Sequence, residues 1–159
     1  MQGEYFILRT KEHRYFAAQA LGSVEPSPDK PYYVKIAPYD ETRRDAQNRL
    51  SHMWYSEISK QGGEYTAEDI KCIAKLRWGV PILVAEDEQF AAFWQKVKTT
   101  CPTYEERMEA MRYIPVTSIM TVKQMSQYLT DMQRVSSQKY QLTDPSLLGL
   151  DELRYGKTA

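Results

Sequence analysis

The spacing of apolar residues changes near residue 40. Before that point, residues 4–9 and 32–37 are short runs of aromatic and aliphatic side chains and read as two strands. Between them, Thr10 can cap a helix over 11–21, with Tyr15, Phe16, Ala20 and Leu21 at helical spacing. Residues 24–31 hold three prolines and read as a loop. Beyond residue 40 the period is that of a helix. Leu50, Met53, Trp54 and Ile58 give one apolar face to a helix over 42–60, which Gly62-Gly63 ends. Thr66 and Asp69 have the spacing of a capping box and open a helix over 67–78. Gly79-Val80-Pro81 reads as a break, and 82–84 as a short buried strand or extended segment. Further helices are expected over 87–99 and 104–113. A last one, capped by Thr121, runs to about residue 137 and packs through Val122, Met125, Leu129 and Met132.

This order predicts an α+β fold: a mostly helical single domain with an N-terminal β-α-β element and a small sheet. The domain spans 1–145, and a C-terminal tail follows over 146–159. Two strands do not make an independent sheet, so helical cover or a partner strand is expected.

With 159 residues the chain is one domain's length. No apolar run approaches the roughly 18 residues of a membrane span, and residues 1–11 lack a signal peptide's apolar stretch. Lys and Arg number 21, as do Asp and Glu, so nucleic-acid binding would depend on a local patch. The two cysteines, Cys72 and Cys101, read as reduced cytosolic thiols. With only His13 and His52 beside them, no zinc spacing exists and no metal or other cofactor is expected.

The most distinctive stretch is 40–49, a polar helix start with three arginines and two amides. Arg43, Gln47, Leu50 and Trp54 share one stripe; Arg44, Asn48, Ser51 and Tyr55 share the next. Arginine forks suit phosphates, and Gln or Asn can bond sugars, phosphates or base edges, so Arg43, Arg44, Gln47, Asn48 and Arg49 are DNA-contact candidates. The alternative is a solvated first turn in which Glu41 and Asp45 pair locally with the arginines. Lys71, Lys75 and Arg77 extend the candidates as a basic strip on the outer face of the next helix, with Tyr65 and Trp78 nearby for base stacking. An ordinary solvated helix face would look the same. Phosphate loops, dinucleotide fingerprints and nucleophile elbows are all missing, so no catalytic residues are assigned. A metal-dependent nuclease would need clustered acids, for which Asp45, Glu57, Asp69, Glu86 and Asp87 are the available carboxylates.

Residues 43–49, followed by Trp54, resemble the R…QNR…W signature of the NinB family, that of Orf-like recombination proteins of lambdoid phages. Ile70-Lys71-Cys72, residues 114–125 and Leu142-Thr143-Asp144-Pro145 continue the likeness. The resemblance implies a cytoplasmic homodimer in the bacterial host that binds single-stranded or partly single-stranded DNA. It also implies contact with host single-strand-binding protein and assistance to recombinase loading, without nucleotide hydrolysis. The readings left beside it are a small nuclease acting on branched DNA and a protein-only phage adaptor.

Overall fold

A computed structural model describes residues 6–37 and 42–153. The chain divides into two units, 1–40 and 41–159.

In the first unit, α1 (Lys11–Gly22) begins as expected. The Thr10 hydroxyl accepts from the backbone N–H of His13, and no α1 residue is buried. The expected β-α-β element does not form. Among the described residues there is no strand or sheet, only an isolated antiparallel bridge between Ser27 and Lys30. Residues 6–9 and 32–37 are irregular, and Glu4 and Tyr5 lie outside the described residues. The physical reason is the dependence of β-propensity on a pleated, half-buried surface. Tyr33 and Ile36 are 92% and 88% exposed, so neither has such a surface to pack on.

The second unit is helical. α2 (Arg43–Gly62) is capped by Thr42, whose hydroxyl accepts from the N–H of Asp45, and ends at Gly63 in the left-handed conformation, φ 70°. It buries Ala46, Gln47, Leu50, Trp54, Tyr55 and Ile58. The Thr66/Asp69 capping box forms and starts α3 (Ala67–Ala74).

The expected break at Gly79-Val80-Pro81 is absent. A π-helical turn over Lys75–Gly79 carries the chain straight into α4 (Val80–Glu86), so 82–84 is helical. The Val80 N–H bonds the Lys75 carbonyl, a step of five residues. That wider turn places Pro81 in the first turn of α4, where a missing N–H costs little. Gly79 lets the turn approach its neighbours closely. A Cβ there would lie 2.5 Å from Cγ1 of Val116.

α5 (Glu88–Thr100) starts at Asp87, which accepts from the N–H of Phe90. Capping boxes at Thr103/Glu106 and Thr121/Gln124 open α6 (Tyr104–Ala110) and α7 (Val122–Ser136). Short 3-10 turns follow at Pro145–Leu148 and Asp151–Leu153. The core joins Leu50, Trp54 and Tyr55 of α2 to Leu83, Met111 and the α7 residues Tyr128, Leu129 and Met132. Leu150 and Leu153 close it from the C-terminal side.

Candidate nucleic-acid interface

The first turn of α2 is bound into its own unit. Arg43 pairs with Glu152, and both side chains are half-exposed. Arg44 donates from Nη2 to the carbonyl of Ser118 at 2.7 Å. One turn on, Gln47 is fully buried. Its Nε2 donates to the Val122 carbonyl at 3.1 Å and to the Ser126 hydroxyl at 2.7 Å, while its buried Oε1 has no protein partner. Asn48 is exposed and Arg49 is half-buried. The Gln-Asn-Arg triplet is therefore divided by the 100° step of the helix. Gln47 falls on the Leu50/Trp54 stripe and packs against α7, and Asn48 faces outward.

The basic strip expected on α3 assembles only in part. Lys71 is half-buried and Arg77 is exposed. Lys75 turns inward, with its Nζ donating to the carbonyl of Met111. The side chain is buried, and that carbonyl satisfies its ammonium head. Burial is the main cause holding its pKa below the usual lysine range. The Arg77 guanidinium lies 5.1 Å from the centre of the Trp78 ring. Tyr65 lies in a separate groove with Tyr104, Glu105 and Arg112.

A different face of α2 gathers exposed donors. Asn48, His52, Ser56 and Lys60 follow one another at four-residue steps, a ridge along the helix surface. An open groove beside it is lined by Arg49, His52, Met53, Ser56, Glu57 and Lys60. Glu57 is occupied: it accepts from the backbone N–H of Thr143 at 2.9 Å and from the Thr143 hydroxyl. The His52 ring meets Tyr55 edge-on at 5.5 Å. Partial burial, and secondly the Lys71 ammonium, push the His52 pKa down, with Glu68 acting weakly the other way. Of this face, sequence reasoning named Asn48 and Arg49 as DNA contacts and gave His52, Ser56 and Lys60 no such role. The four-residue spacing of its polar residues was the available signal, masked by the arginines one turn earlier.

The carboxylates considered for metal chemistry each have a structural task. Asp45 accepts from the Thr42 hydroxyl, and Asp69 closes its capping box and takes Arg112. Those bonds hold the Asp69 pKa below the ordinary value, the Thr66 hydroxyl first among them. Glu86 accepts from Gln124, and Asp87 caps α5. Among the described residues no three His, Cys, Asp or Glu side chains gather as a metal set. No helix of the described residues is long and apolar enough to cross a membrane.

Residues 2–78 match a family model described as NinB protein. That stretch contains the divided Gln-Asn-Arg turn, the outer ridge of α2, and Lys71 to Trp78. Neither the curated proteins nor the solved structures contain a match.

Proposed function

We propose that this chain, whose residues 2–78 match the NinB family model, is a NinB-family, phage recombination-related protein, and a non-enzymatic mediator that binds single-stranded DNA and assists recombinase loading. The observation that carries the reading is the exposed donor face of α2, which lies within the family-matched segment. With a formal net charge of zero, binding of this kind is local, tolerant of sequence and weakened by salt. The individual contacts in this reading are Asn48, Arg49 and Lys71, with Arg43, Arg44 and Arg77 at its edges. Gln47 and Lys75 support it from inside.

The reading includes a homodimer acting in the host cytoplasm. Supporting the dimer is apolar surface on the first unit, where Phe6, Tyr15, Phe16, Leu21, Tyr33 and Ile36 are all exposed. Single-strand-binding protein enters as a partner through the family resemblance. A labelled single strand incubated with the protein and magnesium, then run on native and denaturing gels, tests the reading. A shifted complex with intact DNA is expected. Cleaved DNA would overturn it in favour of a nuclease.

A further inference from the structure

We propose that the outer ridge of α2, from His52 through Ser56 to Lys60 with Lys71 of α3 beside it, is a groove that holds consecutive backbone phosphates of one DNA strand. The proposal rests on the mediator reading above and locates its main contact away from the arginine-rich turn. The first argument is commitment. Arg43 is paired with Glu152 and Arg44 with the Ser118 carbonyl, so a phosphate would have to displace contacts already made. His52 and Lys60 are exposed on the ridge, with the half-buried Ser56 hydroxyl between them.

The second argument is charge. One acid, Glu57, lines the groove; both its carboxylate oxygens accept from Thr143, so it is held there and does not pair with Lys60. Lys71 reaches His52 electrostatically from α3, against the weaker opposing field of Glu68. The third argument is reach. Eight residues separate His52 from Lys60, about 12 Å of helix, a length that takes more than one phosphate of an extended strand. Met53 contributes an apolar wall to the groove, suited to a sugar or a base face.

The test is anisotropy of a labelled oligo-dT over a salt series, with wild type, a His52→Ala/Lys60→Ala double variant, and Lys60→Arg. Thermal melts of all three confirm folding. Both truncated side chains are exposed, so melting temperatures close to wild type are expected. The double variant should bind roughly tenfold more weakly, and at neutral pH its log-log salt slope should fall by about 0.7, for the lost Lys60 charge. Lys60→Arg should bind like wild type, which a purely steric role would not require. If wild type binds and the double variant matches it in affinity and slope, the groove is wrong and the mediator reading stands. If wild type itself fails to bind at low salt, the mediator reading falls and takes the groove with it.

Discussion

The side-chain amide of Gln47 donates to the Ser126 hydroxyl at 2.7 Å, joining the most distinctive turn of the sequence to α7 inside the core. A residue that resembles part of a DNA-contact signature is thus a structural tie between two helices. Replacing it with Ala leaves the Val122 carbonyl and the Ser126 hydroxyl short of a donor and opens a cavity. Gln47→Ala should cost about 1–3 kcal/mol. In a domain of this size that lowers the melting temperature by roughly 2–4 °C per kcal/mol. Calorimetry measures the loss, and the DNA affinity of the folded protein should stay within about twofold of wild type.

Tyr55 and Tyr128 share a hydroxyl–hydroxyl hydrogen bond of 2.6 Å in the interior. Tyr55→Phe alone strands the Tyr128 hydroxyl at about 1–2 kcal/mol, whereas Tyr128→Phe leaves the Tyr55 hydroxyl its bond to Ser51 and should cost less. The double replacement removes both polar groups together and should cost less than the sum of the two. Urea unfolding of the four proteins reads this coupling.

Burial pushes the Tyr55 pKa up from 10.0 to about 12, and the Tyr128 pKa is raised as well, again chiefly by burial. The folded state therefore favours the neutral phenols. Their contribution to stability is full below pH 10 and is lost as the pH rises toward about 12. Alkaline unfolding followed by tyrosine absorbance should show these two phenols ionising together with the loss of structure.

A Cβ added to Gly79 in the π turn would meet Val116 at 2.5 Å, with Tyr128 and Met120 also near. A methyl group there collides with a branched side chain that has no flexible end to swing away. Gly79→Ala should destabilise by about 1–3 kcal/mol. Val116→Ala in the same chain should recover part of that loss, which denaturant unfolding of the single and double variants will show.

His52 titrates beside the proposed phosphate groove. Its pKa lies below 6.5 because burial and then Lys71 disfavour the charged form, with Glu68 opposing. At neutral pH it is uncharged, and lowering the pH through the region below 6.5 adds a positive charge to the groove. Affinity for single-stranded DNA should rise as pH falls through that range, and His52→Gln should flatten the rise. Anisotropy titrations at pH 5.5 and 7.5 give the comparison.

The helices after residue 40 were legible because their ends carry local chemistry. Thr66 with Asp69, Thr103 and Thr121 are caps that act within one turn. The strands were not legible, since Tyr32 to Ala37 has the side chains of a strand but finds no pleated surface to pack on. The continuous passage through Gly79-Val80-Pro81 depends on a π turn, a bond register that residue spacing does not encode. The inward course of Lys75 depends on the Met111 carbonyl, 36 residues away. At the site, the shared stripe of Gln47, Leu50 and Trp54 was visible in the spacing, and it already implied that Gln47 faces the core.

The salt dependence of affinity for labelled oligo-dT tests the central claim most directly. A protein that holds a strand by its phosphates must release counterions on binding. The account predicts tight association at low salt that weakens steadily, with a log-log slope of about −0.7 for each phosphate neutralised. No association at low salt, or an affinity indifferent to salt, would contradict it.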